Sequence, residues 1–133
     1  MSTDLDYGYK RTVDGTLDDV EERVRTALSD EGFGILTEID VKATLKEKLD
    51  VDFRPYKILG ACNPPLAHRE LYEETDIGLL LPCNVVVYEP DEPGKTVVAA
   101  MDAVQQLGVT GRADMEELAT EVNQRLRRAI DGL

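Results

Sequence analysis

Apolar residues along this chain follow two rhythms, one helical and one alternating. Leu17, Val20, Val24, Ala27 and Leu28 recur at helical spacing and lay a single apolar stripe along a helix over roughly 17–31. Thr16 stands before it as an N-cap, with Asp19 three residues on in the capping-box position. Gly32 follows where a left-handed residue closes a helix. Asp40 is expected to cap a short second helix carrying Val41, Leu45 and Leu49 on one face. Asn63 followed by Pro64 predicts the N-cap and first turn of a third helix, about 64–74. Residues 102–107 read as a short helical turn. Asp114, with Glu117 three on, is expected to cap the last helix. Its stripe of Met115, Leu118, Ala119, Val122, Leu126, Ala129 and Ile130 is the cleanest periodicity in the chain.

Strands occupy the intervals. Tyr7 to Val13 reads as the first, ended by the turn pair Asp14-Gly15. Phe33, Ile35, Thr37 and Ile39 alternate with Gly34, Leu36 and Glu38, a period-two pattern. Pro55 bars a helix before the strand Tyr56–Cys62. Val85-Val86-Val87 has no polar alternation, which points to an interior strand. Residues 89–95, with two prolines and a glycine, form a hairpin-type loop that returns residues 96–101 as the next strand. The fold class expected is α+β: a two-layer sandwich with a mixed or antiparallel sheet of about four to five strands and helices packed on it. One domain over 7–131 is expected, behind a short polar extension at 1–6.

Composition narrows the function classes. Acidic residues number 27 against 15 basic, a formal net charge of -12. Such a chain is repelled by phosphate backbones and anionic bilayers, so neither nucleic acid nor a membrane is an expected partner. A high-salt cytoplasm would explain the dense carboxylates, and an ordinary acidic cytosolic protein would carry them too. No apolar run reaches transmembrane length, and the start lacks the basic and apolar regions of a secretory signal. Two cysteines do not make a disulfide framework, so the cytoplasm with both thiols reduced is the expected location. The aromatic content is low, with no Trp, so the core must be aliphatic, and the five tyrosines are expected mostly in it or at its edge.

Candidate chemistry gathers at two Cys-Asn segments. The chain has no CxxC, HExxH, P-loop or GxSxG motif, and nothing calls for a cofactor or a resident metal. If Asn63 caps the third helix, Cys62 lies at its mouth, where backbone N–H groups and the helix dipole would favour a thiolate. His68, the lone histidine, lies a turn into that helix, and a Cys62–His68 pair would make an activated nucleophile. The same mouth would hold a small anion. Cys83-Asn84 repeats the pattern at another strand end. Brought together, Cys62 and Cys83 would form a redox pair or, with His68, a three-ligand metal site. The plainer reading is that each Cys packs and each Asn satisfies backbone groups at a chain reversal. Arg54 and Lys57 offer a local positive spot or, more simply, partners for surface carboxylates.

The segments Gly32–Asp40, Arg54–His68 and Gly78–Val87 resemble the domain-of-unknown-function 302 family in its bacterial and archaeal single-domain members. The resemblance runs from about Tyr7 to Ile130. It implies a small α+β fold that tends to form homodimers, and it brings no established activity. The family's characteristic segments include Cys62, Asn63, Pro64, His68, Cys83 and Asn84 as they stand here. Three readings follow. The first is a homodimeric module binding a small ligand or anion, with Cys62, Asn63, His68, Cys83 and Asn84 as its site. The second is a thiol-dependent redox or sulfur-handling enzyme using Cys62 with Cys83 or His68. The third is a structural or oligomerisation domain.

Overall fold

The computed structural model describes residues 2–133. Six strands form one sheet: β1 (Ser2–Leu5), β2 (Gly8–Asp14), β3 (Gly34–Asp40), β4 (Tyr56–Cys62), β5 (Cys83–Tyr88) and β6 (Lys95–Met101). Their order is β1-β2-β6-β5-β4-β3, and every neighbouring pair is antiparallel. The helices are α1 (Leu17–Asp30), α2 (Val41–Leu49), α3 (Pro64–Glu73), α4 (Ala103–Gly108) and α5 (Glu116–Asp131). The expected α+β architecture is therefore the observed one. The sheet gains a strand over the sequence reading because Ser2–Leu5, set aside there as an extension, pairs with β2 from Ser2↔Arg11 to Leu5↔Gly8. No helix is long and apolar enough to cross a membrane among the described residues.

The two rhythms meet in a shared core. Leu17, Val20, Val24 and Leu28 of α1 and Leu118, Val122, Leu126 and Ile130 of α5 are buried against one face of the sheet. That face presents Leu59 and Ala61 of β4, Val85 and Val87 of β5, and Val98 and Ala100 of β6. Each buried Val, Leu or Ile among them contributes roughly 1.5–3 kcal/mol by leaving water. The capping signals act as read: Thr16 accepts from the Asp19 N–H, and Asp40 accepts from the Ala43 N–H at 2.9 Å. Gly32 has φ +87°, and the Gly32 and Phe33 N–H groups bond back to the carbonyls of Ser29 and Leu28. That is the two-bond closure favoured by a glycine after a helix.

Three local expectations are corrected. Asp114 does not cap α5. Residues Ala113–Met115 form a 3-10 turn first, and Asp114 instead accepts two hydrogen bonds from Arg112. The alternation of β3 breaks at a bulge between Ile35 and Thr37. Ile35 pairs on the helix-facing side of Ala61 while Thr37 sits across from Gly60 on the opposite face. Residues Thr75–Leu80 form a 3-10 helix that ends before a cis Leu81–Pro82 peptide. Tyr7 and Tyr72 lie on the surface, 72% and 82% exposed, rather than at the core edge. Tyr56 and Tyr88, opposite each other on β4 and β5, stack with ring centroids 5.2 Å apart.

Candidate functional site

The chain turns from β4 into α3 through Asn63, and the geometry of that turn sets the site. The Asn63 carboxamide oxygen accepts from the Leu66 N–H at 3.3 Å, as a helix cap should. Its amide donates to the Glu31 carbonyl at 3.4 Å, tying the start of α3 to the end of α1. Pro64 and Pro65 fill the first helical positions and carry no N–H. With two donors missing and a third taken by Asn63, little remains of the helix mouth that an anion or a thiolate would use. The anion reading and the acidified-thiol reading both lose their physical basis there.

Helical spacing then sorts the side chains of α3. Leu66 and Glu70 are one turn apart and buried, and Ala67 and Leu71 lie beside them. His68 falls on the opposite side and is exposed. It belongs to a surface depression with Arg69, Tyr72 and Glu73, away from both thiols. The expected Cys62–His68 pair is therefore not formed. Asn84 is likewise displaced: strand alternation points Cys83 into the core side and Asn84 to the other face, where it is exposed.

Cys62, Asn63 and Cys83 do converge. They line a cavity of about 260 Å³ between the end of β4–β5 and α3. Leu66, Ala67 and Leu71 form its helical wall. Leu81 and Pro82 close it from the loop before β5, and the bulge residue Leu36 reaches it from β3. The cavity is mostly apolar, and besides Asn63 and the two thiols it carries a single charged group. Glu70 lies on its wall and is only 2% exposed as a residue. Its carboxyl has no hydrogen-bond or ion-pair partner among the described residues, where no fully buried side-chain oxygen lacks one, so the carboxyl oxygens keep contact with the solvent space of the cavity. Among the described residues, no Lys, Arg or His lines the cavity.

The electrostatics follow from this isolation. Burial pushes the Glu70 carboxyl above its ordinary range, because the charged form is poorly solvated there. Burial first, and then the Glu70 charge, push both thiols upward as well, the Cys83 thiol to about 12. Both cysteines are free. A thiolate nucleophile needs the reverse environment. No group of three His, Cys, Asp or Glu side chains arranged to hold a metal occurs among the described residues, and the expected three-ligand set fails because His68 faces away. The positive spot is also spent. Lys57 donates to Glu21 at 2.9 Å and to Glu38 at 3.3 Å, and Arg54 pairs with Asp91 and the Glu89 carbonyl.

Glu70 was the residue missed from sequence. Its signal was present: an acidic residue four positions after Leu66, inside the apolar stripe of a short helix.

A family model described as "Domain of unknown function DUF302" matches residues 9–133. No curated protein matches the chain. Among solved structures, the chain is similar to the crystal structure of an uncharacterized conserved protein DUF302 from Bacillus stearothermophilus. Identity is 33% and the TM-score 0.87, over 96% of this chain and 98% of that one.

Proposed function

The chain belongs to the DUF302 family, and from that premise we propose that it is a small-molecule-binding module whose site is the cavity lined by Cys62, Asn63 and Cys83. The observation that carries this reading is Glu70. Its carboxyl is largely withdrawn from water and has no protein partner, a partial desolvation that nothing in the fold offsets. On the wall of a mostly apolar cavity, that supports reading it as a group that takes a ligand. The cavity is large enough, since an apolar cavity of about 150 Å³ already admits a benzene-sized molecule. Free thiols fit a reducing compartment such as the cytoplasm.

The test is an NMR titration of the full chain with a set of small apolar probes. Amide signals of Ala61, Asn63, Ala67 and Cys83 are expected to shift saturably. Ala67→Phe, which fills the cavity from the helix, is expected to abolish those shifts while the protein stays folded. Probes that leave these amides unmoved, or that bind equally to Ala67→Phe, would refute the proposal.

A thiol-dependent enzyme is the weaker reading because both thiols are pushed away from the thiolate. Iodoacetamide at pH 7 is expected to label neither cysteine quickly in the native protein, and rapid labelling of Cys62 would reinstate it. A homodimer, which the resemblance implies, belongs to the same proposal. Edge strand β3 supports it: Leu36 and Ile39 are 67% and 47% exposed beside an unpaired strand edge. Sedimentation equilibrium is expected to give twice the 14.8 kDa of one chain, and a single-chain mass would remove the dimer.

A further inference from the structure

We propose that the ligand of this cavity is a small apolar amine whose ammonium group pairs with Glu70. The inference rests on the binding reading above and adds the chemical class. Four observations converge on it. The walls that would contact the body of a ligand, Leu66, Ala67, Leu71, Leu81 and Pro82, are apolar. The one charged group on them is a carboxyl without a partner. No cation among the described residues lines the cavity to neutralise that carboxyl or to attract an anion. The whole chain carries a net charge of -12, which draws cations toward it and repels anions.

Comparison of ligand classes decides between them. A carboxylate or phosphate ligand would meet Glu70 head-on, and the prolines at the start of α3 leave it few N–H donors. A purely apolar ligand would fill the walls and leave Glu70 unpaired in a still drier site. A neutral alcohol would give Glu70 one hydrogen bond. An ammonium gives a charge-assisted hydrogen bond, about twice as strong as a neutral one. The volume, about 260 Å³, lies below the roughly 300–1,000 Å³ of drug-sized pockets, so the amine is small. The other polar wall group, Asn63, is already engaged as a cap and with the Glu31 carbonyl, which leaves Glu70 as the anchor.

The experiment compares n-pentylamine, n-pentanol and pentanoate on the full-length protein. Binding is followed by the amide signals of Asn63, Ala67 and Cys83 in salt near 1 M, where the Debye length is about 3 Å and surface carboxylates are screened. The amine is expected to bind at least tenfold more tightly than the alcohol, and pentanoate more weakly than either. Glu70→Gln keeps the shape and removes the charge. It is expected to fold, with an unchanged or higher melting temperature, to retain pentanol binding and to lose the preference for the amine. Pentanol binding as tightly as pentylamine to the unaltered chain, or an amine preference that survives Glu70→Gln, would overturn the amine assignment and leave the binding reading standing. If none of the three probes moves the cavity signals, both fall together.

Discussion

Glu70 joins the proposed site to the stability of the fold in one side chain. The residue is 2% exposed and burial raises the pKa of its carboxyl. The direction of the resulting pH dependence is fixed by linkage. Well below the ordinary value of 4.5 both folded and unfolded chains are protonated at this residue and it costs little. As pH rises, the unfolded chain ionises first while the folded one keeps its proton, so the folded state holds more protons and stability falls. The fall ends once pH passes the raised pKa. Glu70→Gln removes this decline. Urea unfolding is expected to show the variant gaining on the parent above about pH 4.5, reaching on the order of 1 kcal/mol near neutrality. A difference independent of pH would mean that the carboxyl is solvated. Glu21 is the opposite case. Burial raises its pKa, but hydrogen bonds from Lys57 and Arg25 prevail and hold it low. A partner thus decides the sign.

The elements around the cavity depend on a few close approaches. Gly60 sits at the centre of β4, where an added Cβ would collide with the Thr37 hydroxyl and lie 2.7 Å from Cγ of Pro82. The bare backbone lets Thr37 of the bulged edge strand and Pro82, which lines the cavity, approach the same spot. Gly60→Ala is expected to destabilise by about 1–3 kcal/mol, as overpacking does, and to weaken probe binding. Thermal melts beside the NMR titration check both. Asn63→Ala acts through a different element. It removes the cap of α3 and the link to the Glu31 carbonyl, and is expected to cost on the order of 1–2 kcal/mol. A loss well below that would show that the prolines alone fix the start of α3.

At the scale of the molecule, charge dominates. A net -12 on 133 residues repels itself, and the folded state concentrates that repulsion. Local networks offset part of it: Arg25 and Lys57 bridge Glu21 and Glu38, and Arg128 reaches Glu31 from α5. Arg11 on β2 donates to the carbonyls of Ile130, Asp131 and Leu133, fastening the end of α5 to the sheet. Raising NaCl from 0.05 to about 1 M shortens the screening length to about 3 Å. The melting temperature is therefore expected to rise, because self-repulsion is screened more than these close pairs are. A melting temperature that drops with salt would place the weight on the ion pairs instead.

Local signals in the sequence sufficed for the elements themselves. The stripes of α1 and α5, the caps at Thr16, Asp40 and Asn63, and the closure at Gly32 each involve groups a turn or less apart along the chain. Their physics is complete within that distance, and so is the alternation that separates Cys83 from Asn84. What the tertiary structure alone decided depends on residues far apart in the chain. Ser2–Leu5 became a strand because β2 offered an edge to pair with. Asp114 left its expected cap for Arg112, whose guanidinium is also held by Glu74. Cys62 and Cys83 share a cavity because β4 and β5 are neighbours and α3 folds back across their ends. Glu70 looks like an ordinary helical acid in the sequence. Only its burial on the cavity wall, with no cation among the described residues lining it, sets it apart as the anchor of the proposed site.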